Sequence, residues 1–128
     1  MPLMEIVPLF ALRDNYIWAI NHGESCVVID PGEASPVLDH LTSSGKQLTA
    51  ILITHHHEDH KAGANELSQK TGARIWGPHS PLIPEVTHPL DGGEEFRLPG
   101  LPSPIQTLSV PGHTQEHLAY LLENALFC

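Results

Sequence analysis

The chain has 128 residues, 41% of them hydrophobic, and a formal net charge of −9. That is enough apolar material for one folded domain spanning residues 1–128, and it argues against a disordered chain. Only six Lys and Arg stand against fifteen Asp and Glu, with no basic cluster, which argues against a nucleic-acid backbone or an anionic membrane as partner. An anionic substrate would need a local source of positive charge, and bound metal is one.

The opening Met1-Pro2-Leu3-Met4-Glu5 has neither the basic nor the long apolar region of a signal peptide. No apolar run approaches membrane-spanning length. Cys26 and Cys128 are the only cysteines; two make no disulfide framework and fit a reducing compartment. A cytoplasmic protein is expected.

In chain order, residues 3–10 form a first apolar strand that ends near Ala11-Leu12, and Asp14-Asn15-Tyr16 is a turn-like breaker. Residues 16–20 and 26–29 are two β-rich runs joined by Asn21-His22-Gly23-Glu24, an antiparallel hairpin signal. Asp30-Pro31-Gly32 stops the second run. Ser35-Pro36 reads as an N-cap followed by proline at the first helical position, with Val37, Leu38 and Leu41 on one face and Gly45 as the stop. Ile51-Leu52-Ile53 then reads as a short buried strand, which completes a strand, helix, strand unit.

That strand runs into Thr54-His55-His56-His57-Glu58-Asp59-His60, four histidines and two acids within six residues. Side chains at i and i+2 of extended backbone point the same way, so His55 and His57 can converge on one ion while His56 points elsewhere. Asp59 and His60 open a helix from which they can reach a second ion, since carboxylate and imidazole both ligate zinc-like metals. Taken singly, Asp59 could be an N-cap and each histidine surface decoration; four together point to metal. A zincin needs His-Glu-x-x-His, and His57-Glu58 meets its next histidine one place early at His60. A zinc finger would need paired cysteines.

A second helix is expected over 62–70, with Ala64 and Leu67 inward and Gly72 as its stop. A strand follows over 73–76. Seven of the twelve prolines fall between Pro78 and Pro104, so this part should be irregular, with one extended piece over 94–98 after the Asp91-Gly92-Gly93 turn. His79 and His88 lie there as ordinary loop histidines. Residues 106–110 form a strand, Pro111-Gly112-His113-Thr114 a tight turn, 117–122 a strand and 125–128 the start of another. Cys26, inside a strand with no base motif beside it, reads as a small core residue rather than a nucleophile.

The pattern Thr54-His55-x-His57-x-Asp59-His60 with Gly112-His113-Thr114 downstream resembles the metallo-β-lactamase superfamily. Asp14-Asn15-Tyr16, Val28-Ile29-Asp30-Pro31-Gly32, the three consecutive histidines, Pro111-Gly112-His113-Thr114 with His117, and the closing Leu126-Phe127-Cys128 resemble its glyoxalase II (hydroxyacylglutathione hydrolase) branch. The resemblance implies an α/β protein, a four-layered αββα sandwich with a dinuclear site at one edge between the sheets. It implies that His55, His57 and His113 hold the first metal and Asp59 and His60 the second, with Asp59 helping to activate the metal-bound water. Asp30 and Thr54 would stand behind the ligands, Asp30 orienting a ligand histidine. His117 and Tyr120 are left as structural.

The reaction implied is hydrolysis of a glutathione thioester, S-lactoylglutathione to glutathione and lactate, a step of methylglyoxal detoxification. The cofactor would be Zn2+, one or two ions, with iron and manganese as alternatives. The family pattern continues after Phe-Cys with a Gly-Asp whose aspartate bridges both metals, and with a later histidine. The chain is therefore expected to be the N-terminal half of such a domain, impaired in turnover. Two further readings follow: a metal-binding remnant without turnover, and another superfamily member such as an iron-dependent persulfide dioxygenase. Strand faces that the second half would cover are expected to promote self-association.

Overall fold

The computed structural model describes residues 4–10, 16–55, 61–80, 83–110 and 117–128. The expected turns at Asp14-Asn15 and 111–114, and the ends drawn for the first strand at residues 3 and 11–12, lie outside them.

Two sheets form. The first has six strands in the order β1-β2-β3-β4-β5-β6: β1 (Glu5–Phe10), β2 (Tyr16–His22), β3 (Ser25–Ile29), β4 (Gln47–Leu52), β5 (Arg74–Pro78) and β6 (His88–Leu90). The pairs β1/β2 and β2/β3 are antiparallel. From β3 to β6 every pairing is parallel, so the chain must cross over between strands. One crossover carries α1 (Ser35–Ser44) and the next α2 (Ala64–Thr71). The second sheet is antiparallel, in the order β10-β9-β8-β7, with β7 (Glu95–Phe96), β8 (Ile105–Ser109), β9 (Leu118–Leu122) and β10 (Ala125–Phe127).

Alternation along the central strands explains how the layers stack. Cys26, Val28, Ile51 and Ile53 point to one side and pack with Val37, Ala64 and Leu67 of the helices. Val27, Ile29, Ala50 and Leu52 point to the other and pack with Ile105, Leu118, Tyr120 and Leu122 of the second sheet. Strands buried on both faces read as unbroken apolar runs, as these do. The result is helix, sheet, sheet, an α/β protein. Among the described residues no helix covers the outer face of the second sheet, where the expected sandwich has its fourth layer.

Several boundaries moved from the sequence reading. The first hairpin turns on two residues, Gly23 and Glu24, because His22 and Ser25 still pair; Gly23 supplies the positive φ of 58° that so tight a turn requires. Helix α1 includes Ser35, with Ala34 at the N-cap and no side-chain cap hydrogen bond. Helix α2 begins at Ala64 rather than 62. The strand β6 was not expected, since His88-Pro89-Leu90 sits in the proline-rich stretch. Proline is tolerated there because β6 is an edge strand.

Candidate metal centre

The parallel strands β3 and β4 end side by side, and the residues that follow them carry the chemistry. This is where open parallel sheets place their ligands. Asp30 N donates to Leu52 O at 2.8 Å and Ile53 N to Trp76 O at 2.9 Å, so the ladder outlasts the strands by one residue. The chain then turns at Asp30 with φ 56°. For a residue other than glycine this left-handed conformation costs roughly 1 kcal/mol.

The contacts made by the Asp30 carboxylate offset that cost. One oxygen accepts from Thr54 N at 2.7 Å and the other from Thr54 Oγ1 at 2.7 Å. Asp30 is 6% exposed and Thr54 0%. Buried hydrogen bonds to a charged acceptor contribute about 1.5–3 kcal/mol each, so the pair outweighs the backbone strain.

A proton count then fixes the state of His55. The carboxylate only accepts, so the single hydroxyl proton of Thr54 goes to Asp30. Thr54 Oγ1 lies 2.8 Å from His55 Nδ1, and that contact must take its proton from the ring. His55 is thereby set as the Nδ1–H tautomer. Nε2 is left as the nitrogen with a lone pair to give, the form in which imidazole binds metals.

The second sheet holds this corner from the other side. Tyr120 Oη donates to Ile53 O at 2.5 Å, and Leu118 N donates to Thr54 O at 2.8 Å. Burial first, and then the charges of Asp30 and Glu94, push the Tyr120 hydroxyl well above its usual range, so it stays a donor. The His117 ring stacks on the His55 ring, centroids 4.6 Å apart and planes at 25°.

From the helix side, Gly63 N donates to Pro31 O at 2.8 Å. A Cβ on Gly63 would lie 2.4 Å from Glu33 C and 2.5 Å from Ala34 N. The chain leaving the histidine motif thus lies backbone against backbone on the loop that carries Asp30. Lys61, itself buried, pairs with Glu85 at 2.9 Å.

Of the residues singled out in the sequence, the structure brings Asp30, Thr54 and His55 into direct contact. His57, Asp59, His60 and His113 lie outside the described residues, as does His56. Among the described residues no group of three His, Cys, Asp or Glu side chains is placed to hold a metal. Cys26 is wholly buried and burial pushes its thiol up to about 12, the state of a core residue rather than a nucleophile. His88 stacks on Trp76 at 4.2 Å, and exposed His79 lies 3.6 Å from Asp91. Sequence reasoning missed Gly63 and the parts played by Tyr120 and His117. A glycine inside an expected helix was the available signal for the first; contacts across 60 or so residues leave none for the others.

Layers of helix, sheet and sheet, with a buried imidazole at the carboxyl ends of the parallel strands, define an α/β protein with a candidate site at that edge. Residues 12–128 match the sequence model of the metallo-β-lactamase superfamily, and the chain belongs to that superfamily. It is 42% identical over 125 residues to the hydroxyacylglutathione hydrolase of Methylobacillus flagellatus, covering 98% of this chain and 50% of that protein. To the enzyme of the same name from Nitrosomonas europaea it is 44% identical over 126 residues, covering 98% and 48%. It therefore spans about half the length of these curated relatives.

Among solved structures, ETHE1 from Myxococcus xanthus superposes with a TM-score of 0.83 at 26% identity, over 96% of this chain and 56% of that one. The B3 metallo-β-lactamase BLEG-1 superposes at 0.78 with 17% identity, over 94% of this chain and 68% of that one, a likeness of fold alone.

Proposed function

We propose that this chain carries the first-metal half of a hydrolytic site for glutathione thioesters, with His55, His57 and His113 as ligands to one divalent ion and Asp59 and His60 directed to a second. The observation that carries the reading is the Asp30–Thr54–His55 relay. Two buried hydrogen bonds at Asp30 have no need of a histidine neighbour for stability, yet they fix the tautomer in which His55 can give a lone pair through Nε2. Three His ligands suit an open zinc site, while Asp59 and His60 alone supply a second ion with too few.

When bound, the metal supplies a water of lowered pKa and an electrophile for the thioester carbonyl. The work of the chain's own residues is positional. Asp30 and Thr54 hold the His55 proton on Nδ1, Tyr120 stops the Ile53 carbonyl from shifting, and the 6% and 3% exposures of Asp30 and His55 keep water out of the relay. The glutathione thioester follows from the names of the relatives with 42% and 44% identity.

The test is metal content by elemental analysis beside hydrolysis of S-lactoylglutathione. One tightly held ion per chain and turnover far below a full-length relative's are expected. Thr54→Val, which leaves Asp30 without the hydroxyl and His55 without its partner, should lower zinc affinity by about 10–100-fold. His57→Ala should remove most of the metal, and His56→Ala little. Unchanged affinity in Thr54→Val, or equal losses at His56 and His57, would refute the arrangement. The fold likeness to ETHE1 is reason to run a persulfide with an oxygen electrode in the same series; oxygen uptake in place of thioester hydrolysis would select the dioxygenase reading.

A further inference from the structure

His117 takes no part in the proposed ligand set, and the resemblance gives it no task. Its place is nevertheless specific. It stands just ahead of β9, is 8% exposed, and lies flat on His55, which is 3% exposed. The two rings are brought together by backbone. Val110 N donates to His117 O at 3.0 Å, and the next residue, Leu118, donates its N–H to Thr54 O, one residue before His55. The Tyr120 hydroxyl fixes the residue before that through Ile53 O. These bonds hold the backbones that carry the two rings side by side.

The relay from Asp30 and the stacked ring act on different parts of His55. The hydrogen bond at Nδ1 settles which nitrogen carries the proton and anchors one edge of the ring. A flat neighbour parallel to it within 25° acts on its face, because tilting the ring toward that neighbour drives the two into each other. An aliphatic side chain of equal volume fills space without offering a plane.

We propose that His117 is a positioning residue whose ring face sets the plane of the His55 imidazole, and so the direction in which Nε2 presents its lone pair. The inference rests on the metal reading above for its use, but its physical content is the orientation of His55, which can be read without metal.

The variants are His117→Phe, which keeps a flat ring, and His117→Leu, which keeps bulk without one. In the metal-free protein, nitrogen-15 spectra of labelled histidine should show one sharp Nδ1–H signal set for His55 in the wild type and His117→Phe, and broadened or shifted signals in His117→Leu. Zinc affinity, by competition with a chromophoric chelator, should stay within a few-fold in His117→Phe and fall about tenfold in His117→Leu. The visible bands of the cobalt-loaded protein should change only in His117→Leu. Thermal unfolding without metal separates a misfolded variant from a misoriented ring; should His117→Leu unfold, His117→Met takes its place.

Identical His55 signals in all three proteins overturn the proposal, and so do equal losses in the Phe and Leu variants, which would place the role in the His117 nitrogens. If the wild type takes up neither zinc nor cobalt while the His55 signals still broaden in His117→Leu, the metal reading fails and the positioning stands.

Discussion

At the scale of single residues, the described part of the candidate site consists of groups that hold His55 and its neighbours in place. Asp30 accepts an unfavourable φ so that both carboxylate oxygens reach Thr54. Gly63 matters for what it lacks. Replacing it with alanine puts a methyl group 2.4 Å from the Glu33 carbonyl carbon and 2.8 Å from the Pro31 carbonyl oxygen, all backbone atoms that cannot swing aside. The 30–34 loop or the start of α2 must then move. Gly63→Ala is expected to destabilise the fold by about 1–3 kcal/mol, the usual cost of overpacking, and to lower metal affinity by loosening Asp30. Urea unfolding and a zinc titration check the two effects separately. A variant with full stability would show that the contact yields at no cost.

The histidine motif was legible as a candidate site because it breaks an apolar pattern with polar groups that a core does not otherwise want, whereas Asp30-Pro31-Gly32 read only as a strand stop until the resemblance gave Asp30 a part. Gly63 was legible only as an oddity, and Tyr120 and His117 were read as structural without the contacts they make. Their parts depend on a contact between strands of different sheets, which no local spacing encodes.

At the scale of elements, the sequence was most readable where burial is two-sided or turn chemistry is strong. The parallel β3, α1, β4 unit follows from apolar runs at Cys26 to Ile29 and Ile51 to Ile53 with a proline-marked helix between. It was least readable over residues 78–104, where prolines hid β6. The same stretch contains a turn held by one carboxylate. Glu94 accepts from Asp91 N at 2.5 Å, Gly92 N at 2.7 Å and Thr107 Oγ1 at 2.6 Å, and so ties the Asp91-Gly92-Gly93 turn to β8.

Burial alone would raise the Glu94 pKa, but these hydrogen bonds prevail and hold it at about 2, below an ordinary 4.5. A depressed carboxylate stabilises the fold fully above its unfolded pKa and loses that contribution as pH falls through the folded one. The loss should therefore run from about pH 4.5 to about pH 2. Glu94→Gln is expected to be less stable than the wild type at pH 7, with the gap narrowing as pH drops through this window. Chemical unfolding of both proteins at pH 7, 4 and 3 is the measurement, and a gap that does not vary with pH would remove Glu94 from the account.

At the scale of the whole molecule, the notable feature is the exposed apolar surface of the described residues. Leu108 is 42% exposed and Leu126 55% on the outer face of the second sheet. A chain of aromatic contacts runs from Phe10 through Tyr16 and Trp18 to Phe127, with Phe10 74% exposed. Each sheet also ends in strands paired on one side only, β1 and β10 among them. Such surfaces are associated with pairing to another chain. The 128-residue chain is expected to self-associate, a two-fold dimer being the simplest closed form. Light scattering across a concentration series should give a mass that climbs above one chain, and a constant monomer mass with no binding of an apolar dye would count decisively against it.

The hydrogen bond from Tyr120 to Ile53 joins residues 67 positions apart, and this sets an order of events during synthesis. The histidine motif leaves the ribosome first and β9 follows roughly 3–13 s later, at about 5–20 residues per second. Throughout that interval the motif has its ligand types but not the strand that closes the corner around His55. On the metal reading proposed above, a growing chain would offer its histidines to any passing ion and would select among ions only once β9 has docked. On the proposed ligand set, released chains that end at residue 116, which keep His113 but lack β9, should exchange zinc freely, and chains through residue 128 should retain it against a chelator; equal retention by both would mean that the motif matures without its distant strand.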